Sequence, residues 1–287
     1  MPALYPSPLV SNYFEEIDFG PENRASGAVD RQIVDAFEDG KCIIFRDWIV
    51  DFDKEFFSDF ELHNNREAKK LKSFVRDGED VDRKRLQFQV GQCAKDPALV
   101  DEFVDHAERI SAQVVPLINR IFGNSEYLDR RLTWRLLETV NENLHIDVYG
   151  AEKTDFQIRM FVNLDAVPRI WHTSHSLEDM LEKFGHLLTD DELASLGPTA
   201  LCKVLNYRVF GGVDNAGHDG QPKHTAFFQP GEVWMVDSRR ISHQMFYGRR
   251  ALSCDYLATP QSMNDPSKHY LLSVERYRQR RGFTLAA

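Results

Sequence analysis

The sequence LHIDVY at residues 144–149 alternates apolar and polar side chains, as a half-buried β-strand does. A second stretch, QIRMFVNL at residues 157–164, shows a similar pattern shortly afterwards. On a strand, the side chains of His145 and Asp147 would point to the same face, because residues i and i+2 share a face. An imidazole and a carboxylate that project together can bind one metal ion. We therefore expect a β-rich region that holds a metal site.

Short β-strands are predicted around this stretch, from about residue 132 to residue 258. Apolar and polar residues alternate in short runs, and Gly and Pro separate these runs, as in antiparallel sheets. The further strands are predicted at residues 200–210, 225–228, 232–236, 242–247 and 250–258. A helical insertion is predicted at residues 176–196. Many short strands of this kind are typical of a barrel or a jelly roll.

The first half of the chain is predicted to be richer in helices. Apolar residues recur at helical spacing over residues 28–39, 51–63 and 97–123. A short buried strand is predicted between the first two helices, at residues 42–45. The tail from residue 265 has the pattern of a basic helix, and we expect it to present a solvated face.

Helices first and many short strands afterwards predict an α+β fold in a single domain, residues 1–287. We expect residues 1–130 to be mainly helical support. Residues 131–262 are predicted to form the barrel core, with the helical insertion inside this range. Residues 263–287 are predicted to form a C-terminal helix and tail. Because small barrels bind ligands at their mouths, we expect the ligand site there.

The charge and the cysteine content exclude several classes of protein. The formal net charge is -10, so the chain lacks the basic surface that nonspecific nucleic-acid binding requires. No run approaches the ~18 apolar residues of a transmembrane helix, and the first residues do not resemble a signal peptide. The four cysteines are scattered without CxxC spacing and are expected to be reduced. We therefore expect a cytoplasmic protein with no transmembrane segment and no nucleic-acid partner.

The His-x-Asp pattern at His145 is weak evidence alone, because a His-x-Glu match also occurs at residues 106–108. His106 falls within a predicted helix, where residues i and i+2 do not share a face, and we expect it to be structural. A distal ligand is predicted where a Pro-Gly turn at residues 230–231 leads into a strand and His243 follows on the next strand. Two histidines and one carboxylate form the facial triad that leaves positions open on non-haem iron(II).

The C-terminal half, from about residue 135 to residue 260, resembles the iron(II)- and 2-oxoglutarate-dependent dioxygenases of the double-stranded β-helix fold, a jelly-roll or cupin-like barrel. More narrowly, it resembles the Kdo hydroxylases, which hydroxylate the 3-deoxy-octulosonic sugar of lipopolysaccharide. The resemblance is carried by residues 144–147, 158–163, 168–171, 228–234, 243 and 251–252. It implies that His145, Asp147 and His243 hold Fe(II), that 2-oxoglutarate and O2 are co-substrates, and that an unactivated C–H bond is hydroxylated.

The resemblance also implies a basic anchor for the far carboxylate of 2-oxoglutarate, and a bidentate arginine suits this role. We expect Arg159 to be the anchor, with Asn163 on the same strand face adding a hydrogen bond. Arg249 or Arg250, shortly after His243, is the competing candidate, and we carry Arg250 forward as a co-substrate residue.

Three residues near the predicted barrel mouth are candidates for substrate contact: Arg135, Arg169 and Trp171. Arginines at this place favour a small, carboxylate-bearing substrate. We expect no catalytic residue beyond the metal ligands.

Two alternatives to a Kdo-hydroxylase-like activity stay open. The same chemistry, as hydroxylation, desaturation or ring closure, suits a free amino acid or a related small metabolite of a specialised biosynthetic pathway. A cupin-like barrel could instead bind a metal or a small ligand without redox chemistry. The sequence leaves both a monomer and a homo-oligomer open.

Overall fold

The computed structural model describes residues 1–63, 71–76, 80–148, 154–211 and 220–283. The described chain combines two β-sheets with several helices, so the predicted α+β class is confirmed. Position 149, the last of the first stretch quoted above, lies outside the described residues.

The larger sheet has eight strands in the order β2-β3-β11-β8-β13-β6-β4-β5. Its strands are β2 (Phe14–Asp18), β3 (Cys42–Ile49), β4 (Leu71–Arg76), β5 (Asp80–Val81), β6 (Tyr127–Arg135), β8 (Phe156–Asn163), β11 (Glu232–Met235) and β13 (Ala251–Ala258). Strand β13 lies between β6 and β8, so that Asp255 is directly opposite both Arg131 and Arg159.

The smaller sheet has five strands in the order β1-β10-β9-β12-β7. Its strands are β1 (Ala3–Tyr5), β7 (Thr139–Val140), β9 (Arg169–Ser176), β10 (His224–Phe228) and β12 (Ile241–Gly248). Residues 1–130, expected to be mainly helical support, thus also supply strands to both sheets.

The described helices are α1 (Pro21–Ser26), α2 (Asp30–Glu38), α3 (Lys54–Asp59), α4 (Arg83–Gly91), α5 (Val100–Ile121), α6 (Leu177–Phe184), α7 (Asp190–Ser195), α8 (Pro198–Phe210) and α9 (Tyr270–Arg280). Single 3-10 turns lie at Pro97–Leu99, Gly185–Leu187, Pro260–Ser262 and Pro266–Lys268. The predicted helices at residues 28–39 and 97–123 and the helical insertion at residues 176–196 are confirmed. The helix predicted at residues 51–63 is much shorter, because it begins after the side-chain cap of Asp53 and ends at Phe60.

The strand predicted at residues 200–210 is wrong, since this segment is helix α8. Pro198 occupies its first turn, where a missing N–H costs nothing, and Gly211 ends it in the left-handed conformation. Leu201, Cys202 and Leu205 lie on its buried side and pack with α6 and α9. The apolar residues that suggested a strand are therefore the inward face of a helix.

The C-terminal helix was predicted to present a solvated face, and this is wrong for part of α9. Tyr270, Val274 and Tyr277 are buried against α6 and α8. Arg278 is also fully buried and donates to the backbone carbonyl of Leu196.

Three apolar clusters hold the elements together. The largest packs α2, α3, α4 and α5 against the larger sheet, and the second packs α6, α8 and α9 together. The third lies between the two sheets and contains Phe161, Trp171, Phe228 and Trp234. The rings of Phe228 and Trp234 stack at 3.9 Å between centroids, which gives the space between the sheets a rigid aromatic floor.

No helix in the described part of the chain is long and apolar enough to cross a membrane. The four cysteines are buried and carry free thiols.

Candidate metal centre and its cavities

The side chains of His145, Asp147 and His243 come together between the two sheets. Each offers one ligand atom, and these atoms all lie within 4.8 Å of one another. The Nε2 atom of His145 lies 3.4 Å from Oδ1 of Asp147, and the Nε2 atom of His243 lies 3.9 Å from Oδ2. Separations of this size leave room for one ion that all three residues could bind.

The backbone fixes these three residues in a different way from the predicted strand. His145 forms only an isolated bridge with His243, in which each backbone N–H donates to the other carbonyl, at 3.0 and 2.8 Å. The N–H of Asp147 donates to the carbonyl of Ser238 at 2.8 Å. The strand expected at residues 144–149 is therefore wrong over the described residues 144–148, although these main-chain hydrogen bonds still direct both side chains into the site.

Each of the two histidines forms a hydrogen bond to a backbone carbonyl through one of its ring nitrogens. The Nδ1–H of His145 donates to the carbonyl of Asn143 at 2.7 Å, and that of His243 donates to the carbonyl of Ile241 at 3.1 Å. Because a carbonyl can only accept, Nδ1 carries the proton and Nε2 is the nitrogen that can bind a metal. Trp171 packs edge-on against His243 at 5.5 Å and limits the rotation of its ring.

Burial and charge set the protonation of the three groups. Burial would raise the pKa of Asp147, but the guanidinium of Arg159 and the two histidines outweigh it and hold this pKa well below the ordinary value. Burial lowers the pKa of His145, but the Asp147 carboxylate outweighs it and the net pKa is raised. Burial and the neighbouring His145 lower the pKa of His243 to about 3. The carboxylate is thus ionised and His243 neutral, which are the forms that bind metals.

Arg159, the predicted 2-oxoglutarate anchor, is buried beside the three metal-binding candidates and already has hydrogen-bond partners within the protein. It donates through Nη1 to Asp147 and to the hydroxyl of Ser238, the latter at 2.7 Å, and through Nε to Asp255 at 2.8 Å. Its guanidinium carbon lies 4.9 Å from the ring centroid of Phe161. These contacts show that Arg159 holds the carboxylate of Asp147 in place, and they argue against its role as the anchor.

A cavity of about 250 Å³ opens from the three metal-binding candidates. Its lining includes Arg135, Arg169, Trp171 and Trp234, and it also includes the acidic residue Glu142. The Nε atoms of both arginines and the Nε1 atoms of both indoles are buried, and none of the described residues accepts a hydrogen bond from them. Buried donors without an acceptor are costly and rare in folded proteins, so this set suits a ligand that carries negative oxygen atoms.

Arg169 is one of the enclosed donors, with 3% of its surface exposed. Burial and the nearby charge of Arg135 lower the pKa of Arg169 to about 9, against the smaller opposing effect of Glu142 and Asp165. Its guanidinium lies over Gly248, where a Cβ would come within 2.4 Å of Nη1. The glycine therefore provides the space in which Arg169 reaches the cavity.

The other two residues predicted to hold co-substrate lie elsewhere. The side-chain amide of Asn163 donates to the carbonyls of Val167 and Phe228, at 3.0 and 2.9 Å. Arg250 donates to three backbone carbonyls, those of Phe57 at 2.9 Å, Phe60 at 3.0 Å and Leu136. Neither residue lines the cavity, and both instead join segments of backbone. Arg249 likewise pairs with the buried Asp165 at 2.6 Å.

A second cavity, of about 300 Å³, meets the first at Arg135, Asp147 and Arg159. Its remaining lining is strongly polar and consists of Lys72, Arg131, Thr133, Gln157, Arg239, Asp255 and Leu257. Sequence reasoning missed Asp255 and Ser238. Asp255 lies in the apolar strand β13 as Arg159 lies in β8, and a charged residue inside each of two apolar runs is a signal for a buried ion pair.

No family model matches the sequence, and no curated protein matches it. Solved structures do match. The apo structure of the Kdo hydroxylase KdoO, a non-heme Fe(II) alphaketoglutarate dependent dioxygenase, has a TM-score of 0.68 and 13% sequence identity, over 92% of this chain and 95% of that chain. Its complex with alphaketoglutarate and Fe(III) has a TM-score of 0.66 and 14% identity, over 94% and 97%. The chain therefore has the same fold as this Kdo hydroxylase, as its sequence predicted.

Proposed function

We propose that this protein is an Fe(II)- and 2-oxoglutarate-dependent oxygenase that hydroxylates an unactivated C–H bond of a small molecule. The observation that carries the proposal is the meeting of His145, Asp147 and His243 at a cavity that is also lined by buried donors without acceptors among the described residues. A metal centre and an anion site within one cavity are what an oxygenase of this class requires. The shared fold with a dioxygenase supports the same conclusion.

The donor set fits iron(II). Two imidazole Nε2 atoms and one carboxylate oxygen form the two-His-one-carboxylate triad, which leaves open positions for a chelating co-substrate and for O2. When bound, iron and its co-substrates supply the oxidising chemistry. The protein supplies the coordination geometry, the orientation of the ligands and the exclusion of water.

The first cavity fits 2-oxoglutarate, a molecule with an anionic group at each end. One end would lie at the metal, and we propose that Arg169 binds the far carboxylate, with the indole N–H groups of Trp171 and Trp234 as further donors. This proposal replaces Arg159, Asn163 and Arg250, whose donors already serve protein acceptors. The Kdo hydroxylase of this fold was solved with alphaketoglutarate and Fe(III) bound, so the fold accommodates such a pair.

We further propose that the two sheets are the halves of one double-stranded β-helix barrel, within a single domain of residues 1–287. The strand orders support this, since from β6 to β13 the chain changes sheet between consecutive strands at every step except that from β9 to β10. Residues 131–262 would then form the core, as the sequence predicts.

The second cavity suits a polar, carboxylate-bearing substrate. Lys72, Arg131 and Arg239 line it, and Arg135 lies at its border with the first cavity. Arg239 is paired with Asp155, and Arg131 lies 3.3 Å from Asp129, so Lys72 and Arg135 are the better candidates for binding an anion. An acid sugar such as Kdo fits this lining, and so does a free amino acid. We propose that the protein acts in the cytoplasm.

An anaerobic titration tests the proposed activity. Apo protein is mixed with Fe(II) and then with 2-oxoglutarate, and the visible charge-transfer absorbance of the chelate is measured. We expect a band that requires both ligands and that is lost in His243→Ala. Tight iron binding without this band would instead support the cupin-like alternative without redox chemistry.

Substrate candidates are then compared by the succinate they release from 2-oxoglutarate. A Kdo-containing glycolipid and the free amino acids form two panels, and the product is analysed for hydroxylation, desaturation or ring closure. Release that is stimulated only by amino acids would overturn the Kdo-hydroxylase-like assignment and keep the enzyme class.

A further inference from the structure

We propose that Asp255 is a positioning residue that, through Arg159, holds Asp147 as a one-oxygen metal ligand. Asp255 would not touch the metal, and this role is separate from its place in the lining of the second cavity. The inference rests on the proposed metal site, but it does not depend on which co-substrate or substrate the protein uses.

Arg159 connects the two carboxylates directly. It donates from Nη1 to Oδ2 of Asp147 and from Nε to Oδ1 of Asp255, the second at 2.8 Å. Arg159 and Asp255 face each other across the β8–β13 pair, so the regular sheet register fixes their separation. Both side chains are nearly buried, which makes the charge of each one depend on the other.

Asp255 is itself held firmly. Its Oδ1 atom accepts from the hydroxyl of Ser253 at 2.8 Å, in addition to Arg159. Its Oδ2 atom accepts from the hydroxyl of Thr133 on β6, also at 2.8 Å. Three donors from three neighbouring strands leave this carboxylate little freedom, so it can serve as a fixed support for the guanidinium.

The consequence appears at Asp147. Its Oδ2 atom is occupied by Arg159 and by the hydroxyl of Ser238, which lies at 2.9 Å. Its Oδ1 atom lies on the side of His145, 3.4 Å from Nε2. One oxygen is thus bound by the protein, and the other faces His145 and accepts no hydrogen bond from Arg159 or Ser238, which favours coordination through a single carboxylate oxygen.

Charge strengthens this arrangement. With Asp255 present, one guanidinium is shared by two carboxylates, and Asp147 keeps negative charge for a cation. Without Asp255, Arg159 would have Asp147 as its one carboxylate partner and would compete with the metal for it. The cation would also meet one more uncompensated positive charge in a buried place. Removing Asp255 should therefore weaken metal binding.

The experiment measures metal binding alone, without turnover. The Kd for Co(II) and the visible Co(II) spectrum are recorded for wild type and for Asp255→Asn, which keeps the shape and removes the charge. We expect the Kd to rise about tenfold, as for other residues that orient a metal ligand. We also expect the Co(II) band intensities to change, because the carboxylate is no longer held as a one-oxygen ligand.

The matched control is Asp165→Asn. It also removes a buried carboxylate that pairs with an arginine, Arg249, but its pair does not line either cavity. We expect this variant to lose stability and keep the wild-type Kd for Co(II). Equal weakening in both variants would assign the effect to general destabilisation and would overturn the proposal.

A second variant covers the case in which Asp255→Asn does not fold. Arg159→Lys keeps the positive charge, but a single ammonium cannot reproduce the fork that reaches both carboxylates. A wild-type Kd and Co(II) spectrum in folded Asp255→Asn, or in folded Arg159→Lys, would overturn the proposal. Wild-type protein that binds Co(II) but not 2-oxoglutarate would contradict the proposed function and leave this inference standing.

Discussion

Two buried arginines in the space between the sheets differ in almost every contact. Arg159, at the metal cluster, donates to Asp147, Asp255 and Ser238. The side chain of Arg169, which lines the same cavity, has no hydrogen bond or ion pair with any residue that the structure describes. An arginine whose donors are used by the protein stabilises the protein, whereas a buried arginine without partners is available to a ligand.

The difference also shows in the pKa values. Burial lowers the pKa of Arg159, but Asp255 and Asp147 outweigh it and the net pKa is raised. Burial and the charge of Arg135 lower the pKa of Arg169 to about 9. An unpaired buried charge destabilises the fold. The presence of such a charge at Arg169 is best explained by an anion that binds there.

The largest effect is expected where the cavity begins, at the metal ligands. His243→Ala removes a ligand atom but keeps the backbone bridge to His145, so the fold should persist. We expect Co(II) affinity to fall on the order of 100-fold or more, above the loss that even indirect partners of a metal cause. Calorimetric titration with circular dichroism as a folding control measures this. Near-normal affinity in folded protein would exclude His243 as a ligand.

The next largest effect is expected from replacing Arg169 or Arg159, and it shows which of the two arginines binds 2-oxoglutarate. Arg169→Gln should raise the Kd of 2-oxoglutarate about 10- to 100-fold, since it removes charge-assisted hydrogen bonds to a buried carboxylate. Its Co(II) affinity should stay unchanged. Arg159→Gln should show the reverse pattern, with a larger effect on the metal than on 2-oxoglutarate. If Arg159→Gln instead causes the greater loss of 2-oxoglutarate binding, the anchor first predicted from sequence is the correct one.

Local patterns in the sequence were sufficient for the elements around the site. Alternation predicted β8 and β13, and helical spacing predicted α5. The sequence also singled out the three metal-binding candidates, from the His-x-Asp spacing and from a distal histidine after a Pro-Gly turn and a strand, and the structure brings them together. The strand prediction for residues 200–210 was wrong, because a short apolar run bounded by Gly fits either a strand or a helix until its packing partners are known.

The roles of the arginines could not be predicted in the same way. Arg159 and Arg169 both lie in apolar surroundings in the sequence, and nothing local distinguishes them. The distinction comes from Asp255 on β13, which is distant from Arg159 in the chain but lies opposite it on the neighbouring strand β8. The acceptors of Arg250 were unpredictable for the same reason, because they are the backbone carbonyls of Phe57, Phe60 and Leu136, which are distant in the chain.

A smaller effect is expected from Gly248, which makes room for Arg169. Adding a methyl group in Gly248→Ala would place a Cβ 2.4 Å from Nη1 of Arg169, so the guanidinium must shift. A shift of this kind in a packed site costs about 1 kcal/mol, and we expect about a fivefold higher Kd for 2-oxoglutarate. Metal affinity serves as the internal control and should not change. In an Arg169→Gln background the same substitution should have little further effect, and an undiminished loss there would separate Gly248 from Arg169.

The smallest effect on ligand binding is expected at Arg250, the arginine that the structure places outside both cavities. Arg250→Ala removes the donors of three backbone carbonyls, which should lower the free energy of unfolding by about 1–3 kcal/mol. Metal and 2-oxoglutarate affinities should stay within twofold of wild type, since roughly a 0.4 kcal/mol change is the size of an ordinary indirect effect. Thermal unfolding and the two titrations measure these quantities. A variant that keeps its stability but no longer binds 2-oxoglutarate would reverse the comparison. Arg250 would then be the arginine that binds the ligand, and the lack of partners at Arg169 would have a structural cause.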